Sequence, residues 1–341
     1  MTWVNEVVDS AADVGMYPSL KAHSADTLYV AYFDHTNLKL KYAKRQGVDS
    51  WHVSTIADAQ FKDQISLALN STAFPYVGFS DPSGFDLKYA YLTKSNKPFP
   101  YPPYTWTSSK IADYADNAYG SLAIASDGTI HVSYMLKKST GWVLAYAKRV
   151  TSAQWIKEEI DSVGHTGLFT SIAVDSTGIP HISYYDFDQK NLRYAKRVGN
   201  GWTKETIDSP GDVGQCTSIA VGADGSRHIA YYDASNMNLK YAVSQNGWTK
   251  MIVDSQGDVG LNPSLALDSG GMPHLSYYDA TNQTLKYAER AFFAPGGWIK
   301  ETVDSTGNAG RYSSISLDAG GHVHICYYDE LNHRLKHAKR T

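Results

Sequence analysis

Short apolar stretches closed by turn signals recur along the whole chain, and in the segment opening at Ser171 they come as a set of four. Ser171 to Asp175, His181 to Asp186, Leu192 to Arg197 and Trp202 to Ile207 read as strands. Asp175 to Gly178, Asp186 to Lys190 and Gly199 to Gly201 supply the turns between them. The set repeats as S-[IL]-A-[VL]-D-S-x-G-x-x-H-[IL]-S-Y-Y-D-x-x-N-x-x-L-K-Y-A-x-R followed by G-W-x-K-E-x-[VI]-D-S. Its opening serines are Ser19, Ser66, Ser121, Ser171, Ser218, Ser264 and Ser314, at spacings of 47, 55, 50, 47, 46 and 50. Such a unit cannot bury both faces of its small sheet alone, so it must stack on copies of itself around an axis.

The seventh unit stops after its third strand at Arg340, while Trp3 to Asp9 matches the missing Trp strand. The expectation is therefore an all-β, seven-bladed antiparallel β-propeller forming one domain over residues 1–341, with the N-terminal strand completing the last blade in a three-plus-one closure. Six closed blades with loose ends is the competing arrangement.

The 341 residues include 25 Tyr, 27 Gly and 8 Trp, a strand-and-turn composition with ample apolar material at 43%. Lys plus Arg total 31 against 34 Asp plus Glu, a net charge of −3 that gives no electrostatic footprint for nucleic acid or an anionic membrane. No apolar run approaches the ~18 residues of a membrane-spanning helix. Met1 leads into Thr2, Trp3 and Val4 without a charged or apolar leader, so the sequence as given carries no secretion address. A complete chain would be cytoplasmic; a removed leader would place it outside the cell or in the periplasm. Cys216 and Cys326 are too few for a disulfide framework and have no metal-ligand spacing.

The Y-Y-D-x-x-N-x-x-L-K-Y-A segment, as in Tyr277 to Ala288, resembles the repeats of microbial sialidase-like and fucose-lectin-like propellers across essentially the whole chain. The sialidase hallmark S-x-D-x-G-x-x-W is absent. Fucose-lectin-like propellers bind sugar between blades with Arg, Glu and an aromatic ring, so the resemblance directs attention to Arg149 with Glu158, Arg197 with Glu205, Arg290 with Glu301 and Arg340 with Glu6. Blade one has only Arg45, and blades two and five have neither residue. A hairpin register sets Arg197 opposite Trp202 and Glu205 opposite Tyr194, so contact between the two types requires adjacent blades. The plain reading is an ion pair with Arg stacked on Trp.

His131, His181, His228, His274 and His324 open the second strand of five blades, with Tyr29 and Tyr76 in that place in the other two. Equivalent positions spread around a ring do not converge on one ion, so these histidines are read as strand-to-strand ties completed by the repeated Ser, Asp and Trp, similar to the networks of WD-type propellers. Asp34, Asp81, Asp186, Asp233, Asp279 and Asp329 begin the second hairpin turn, with Asn37, Asn236, Asn282 and Asn332 three residues on. Asx turns account for them, and one Asp per turn supplies too few oxygens for calcium. No metal and no cofactor is expected.

The two positions ahead of the short residue preceding each opening serine are where the repeat abandons its consensus. They hold Met16 and Tyr17, Asp63 and Gln64, Ala118 and Tyr119, Leu168 and Phe169, Gln215 and Cys216, Leu261 and Asn262, Arg311 and Tyr312. Lying on the crossing from the rim of one blade to the axis of the next, they are expected to line the channel mouth. The step from the Asp ending a Trp strand to the next serine is ten residues in five cases but eight from Asp58 and from Asp113, which predicts an asymmetric groove. Trp142 falls in a hairpin on that face, and His165 replaces the Asp of Asp13, Asp212 and Asp258.

Aromatic rings, amides, one Arg, one Asp and one His suit a glycan or other polar small ligand. The expected site is Tyr17, Asp63, Gln64, Tyr119, Trp142, His165, Phe169, Gln215, Asn262, Arg311 and Tyr312. A catalytic version, a polysaccharide lyase or glycoside hydrolase, would use His165 with Tyr119, Tyr17 or Tyr312 as acid and base and Arg311 to neutralise a carboxylate. Nucleophile-elbow, zinc-protease, phosphate-loop and dinucleotide motifs are absent. A protein-interaction module using the rim or the Asn96 to Tyr104 segment, with Pro98, Pro100, Pro102 and Pro103, is the third reading.

Overall fold

In the computed structural model, residues 2–341 are described except 25–26, 48–49, 60–63, 82–85, 96–103, 114–119, 152–153 and 292. Seven four-stranded antiparallel sheets follow one another around a ring, and each blade runs in sequence order from its inner to its outer strand. The seventh is completed by Trp3–Asp9, which pairs with Arg334–Arg340, Trp3 opposite Arg340 and Glu6 opposite His337. Thr2 and Thr341 then exchange backbone hydrogen bonds in both directions, at 3.0 and 2.9 Å. The closed ring overturns the arrangement of six blades with loose ends.

Burial explains the composition of each strand. Second strands such as Pro180–Asp186 and Pro273–Asp279 are buried at every residue, while outer strands such as Trp155–Asp161 alternate toward solvent until their last two residues. The core lies between blades: Leu239, Tyr241 and Val253 of blade 5 pack with Leu265, Leu275 and Tyr277 of blade 6. Each such side chain contributes about 1.5–3 kcal/mol on full burial.

The second-strand histidines do tie strands together, but through a partner that the repeat analysis did not name. Nδ1 of His131, His181, His228 and His274 meets the hydroxyl of Tyr146, Tyr194, Tyr241 and Tyr287 on the third strand; in blade 7, His324 meets His337 at 3.0 Å. Asp175 and Asp318 hold the other nitrogen of His181 and His324, each at 3.1 Å. The repeated Ser and Trp are not in this network, because both are used across blade boundaries. Asn37, Asn236, Asn282 and Asn332 each donate a backbone N–H to the Asp three residues before, the Asx turn expected there.

Five blade interfaces carry a buried carboxylate clamp. Asp9, Asp161, Asp208, Asp254 and Asp304 end outer strands and accept the hydroxyl of Tyr32, Tyr184, Tyr231, Tyr277 and Tyr327 from the next blade at 2.6–2.8 Å. The next blade adds a cation to each: Lys41, Arg193, Lys240, Lys286 and Lys336. The remaining interfaces lack it. At Asp58 the next blade has Phe79 in place of the tyrosine, and the exposed carboxylate pairs with Lys39 of its own blade; Asp113 pairs with Lys110 where the next blade has Ala145 in place of the cation.

Candidate functional site at the channel mouth

The opening serines form the channel wall. Each Oγ accepts the backbone N–H of the residue after the next blade's serine, from Leu67 on Ser19 around to Leu20 on Ser314, at 2.8–3.2 Å. The central cavity they surround has a volume of about 440 Å³, within the range of small-ligand pockets.

Above the serines, the inner strands begin earlier than the repeat implied. Blade 4 starts at Thr166 rather than Ser171, because Thr166 pairs with Asp186 and Leu168 with Tyr185 before the register shifts and Ser171 pairs with Ser183. In five blades the shift is a bulge with two left-handed residues. The first is glycine: at Gly214 (φ +103°) an added Cβ would stand 2.5 Å from Leu192 Cα of the preceding blade, so no other residue fits. The second is Tyr17, Phe169, Cys216, Asn262 or Tyr312, all with φ of 49–56°. A non-glycine residue costs about 1–2 kcal/mol there, and the bulge aims each of these side chains inward.

That geometry divides the expected site residues into two groups. Tyr17, Gln64, Phe169, Asn262 and Tyr312 line the cavity together, joined by Cys216, a mouth position outside the expected set. The Tyr17 and Tyr312 rings lie 4.1 Å apart at 39°, making one aromatic wall. Asn262 Nδ2 reaches Cys216 Sγ at 3.7 Å, and burial raises the Cys216 thiol to about 11, so it is an unreactive lining group at neutral pH.

The second group stands outside this ring. Gln215 donates to Asp212 at 2.9 Å, and Arg311 pairs with Glu330 at 3.1 Å while lying over Tyr278. His165 Nδ1 is held by Asp188 at 2.9 Å, its ring edge-on to Trp142 at 5.1 Å and its Nε2 packed over Gly141. Its departure from the repeat has a structural reason. Asp212 and Asp258 accept the hydroxyls of Tyr185 and Tyr232 of the preceding blade, whereas blade 3 offers Met135 at that place. Asp63 and Tyr119 lie outside the described residues, as do Ala118 and the 96–103 proline segment.

The Arg and Glu of the repeat meet across blade interfaces. Glu6 binds Arg45 and Trp51 of blade 1, Glu158 binds Arg197 and Trp202 of blade 4, and Glu301 binds Arg340 and Trp3 of blade 7. Where the preceding blade has no Glu, Arg149 turns to the Thr151 carbonyl and Arg290 to that of Gly297. Among the described residues, no group of three or more His, Cys, Asp or Glu is placed to hold a metal.

One lining residue was missed by the sequence reading. Lys21, two residues past Ser19, faces the cavity where the other blades carry Ala68, Ala123, Ala173, Ala220, Ala266 and Ser316. The signal was a broken consensus, S-L-K in place of S-[IL]-A, one step beyond the positions compared.

No protein-family model matches the sequence, and no curated protein matches it. Solved structures share the fold. AofleA of Arthrobotrys oligospora aligns with 89% of this chain and 90% of its own at 13% identity and a TM-score of 0.58. The fucose-recognising lectin of Aleuria aurantia, a six-bladed β-propeller, covers 86% of this chain and 96% of its own at 14% identity and 0.57. A polysaccharide lyase covers 98% and 90% at 8% identity and 0.60. At these identities the likeness is one of architecture.

Proposed function

We propose that this protein binds carbohydrate at its channel mouth. The observation that carries the reading is the convergence of six side chains of five kinds, among them the Tyr17–Tyr312 wall and the amides of Gln64 and Asn262, on one cavity in an otherwise repetitive ring. Aromatic faces for sugar C–H surfaces and amides for hydroxyls are what a polar, neutral-to-acidic ring requires. Structural neighbours named as a fucose-recognising lectin and a polysaccharide lyase agree with this class of ligand. Sites between blades are less favoured, since the Arg, Glu and Trp there already satisfy one another.

A glycan-array screen followed by calorimetry on any hit tests the proposal. One equivalent per chain, weakened at least tenfold by Tyr312→Ala, is the expected result. Several equivalents would move the site to the blade interfaces, and no hit among neutral or acidic glycans would leave a protein-interaction module. The lyase or hydrolase reading rests on the Asp188-oriented His165 beside Trp142. Shortened or unsaturated products from the bound glycan, lost in His165→Ala, would establish it.

A further inference from the structure

Alternate residues of a strand share a face, so the position two past each opening serine lies on the serine's own face. Five blades place a methyl group there and a sixth a hydroxyl; blade 1 places the ammonium of Lys21. Among the described residues it is the only charged side chain lining the cavity, and no carboxylate lines it. Among the described residues its Nζ has no ion pair or hydrogen bond, although lysines at the blade interfaces are paired with aspartates. Lys21 is exposed to the lumen yet walled by protein, and removal from bulk water lowers its pKa below the ordinary lysine value. A confined cation with no counter-ion among the described residues carries a desolvation cost that a bound anion offsets.

The wall adds to this preference. All seven serine oxygens already accept a backbone N–H; the Ser66 hydroxyl donates to the Leu122 carbonyl at 3.5 Å, and the other six hydroxyl hydrogens are left to donate. A lumen with one ammonium and a belt of hydroxyl donors is built for acceptor oxygens. One positive charge without a guanidinium fork matches a monoanion better than a phosphate dianion.

We infer that the channel receives a carboxylate, carried by an acidic sugar, with Lys21 as its counter-ion. This rests on the carbohydrate reading above and names its ligand class. It also moves the charge-neutralising role from Arg311, which Glu330 occupies, to a residue inside the cavity.

Calorimetric titrations with methyl β-glucuronide, methyl β-glucoside and acetate, on the unaltered chain and on Lys21→Ala and Lys21→Arg, test the inference. Ala is the residue that five other blades carry at this place, so the fold tolerates it, and thermal unfolding checks that. The glucuronide is expected to bind once per chain at least tenfold tighter than the glucoside. Lys21→Ala should abolish that ratio, and Lys21→Arg should keep most of it. An unchanged ratio in Lys21→Ala, or equal binding of both sugars, overturns the role of Lys21 and leaves the carbohydrate reading standing. Acetate binding that depends on Lys21, with no gain from either sugar ring, supports the anion site and overturns the carbohydrate reading. No binding of any probe overturns both.

Discussion

Five blade interfaces and the two flanking blade 2 solve the same problem differently. In the five, an outer-strand aspartate is buried under the next blade's tyrosine and cation, and a ten-residue connection carries a glycine pressed on the neighbouring strand. At the other two, the connection is two residues shorter, the aspartate turns to a lysine of its own blade, and one clamp member is missing, the tyrosine at Phe79 or the cation at Ala145. Sequence drift is thus concentrated where polar bonding is thinnest and where apolar packing, as between Phe33, Leu40, Leu67 and Phe79, holds the blades. Apolar contacts tolerate changes of shape, whereas a buried ion cluster tolerates the loss of no member.

The largest effect expected from breaking this contrast is in Asp254→Ala. It strips Lys286, Lys300 and Tyr277 of their shared acceptor and should lower stability by about 3–5 kcal/mol in urea unfolding. Asp58→Ala, at an exposed side chain, should stay within about 0.5 kcal/mol. If the two match, the clamp has no special role.

Hydroxyl exchange should be next in size and opposite in origin. Tyr277→Phe removes a bond to a carboxylate, at a cost of about 1.5–3 kcal/mol, while Phe79→Tyr buries a hydroxyl whose would-be acceptor faces solvent, at about 1–3 kcal/mol. Adding the clamp's tyrosine alone should therefore destabilise the unclamped interface, and a stabilised Phe79→Tyr protein would show that Asp58 can turn inward.

Acid unfolding separates the two kinds of group. Burial holds His131 and His324 down at about 4, so their contribution is complete above 6.5 and is lost as pH falls toward 4. Burial alone would raise Asp9, Asp208, Asp254 and Asp304, but hydrogen bonds from lysine and tyrosine hold them below 3.8. Their contribution is full above that value and is lost as pH falls through their folded pKa. Stability measured against pH should therefore fall in two steps, and Asp254→Asn should flatten only the lower one.

The smallest effect is dynamic. Native-state hydrogen exchange should open the inner strand of blade 2, Ser66–Leu69, before that of blade 5, Val213–Val221. Equal protection would mean that packing compensates fully for the missing clamp.

Blade number, strand order and ring closure were legible because hydrophobic spacing records which residues face a neighbouring sheet. The histidine ties were half legible: recurrence at the head of an apolar second strand marks His181 as a structural tie, but its partner Tyr194 lies on another strand and reads as an ordinary apolar residue. The serine belt was not legible, since its donors are backbone N–H groups that every sequence has. The candidate site was legible in position but not in membership. Tyr312 and Arg311 are adjacent in the chain, yet the left-handed bulge points one into the cavity and leaves the other over Tyr278 with Glu330. Backbone handedness at a non-glycine residue leaves no mark in a hydrophobic pattern.

Because Thr2 and Thr341 exchange hydrogen bonds, the ring has no structural first blade. A short peptide joining the two, with a cut at the exposed Gln245–Gly247 turn, would give a circular permutant in which every sheet is intact and only the order of synthesis differs. Comparing its refolding rate with that of the parent would measure how much it matters whether blade 7 or blade 5 is the one closed by the two chain ends. The same adjacency means that a segment fused at either end leaves from one edge of blade 7, on the perimeter and away from the cavity.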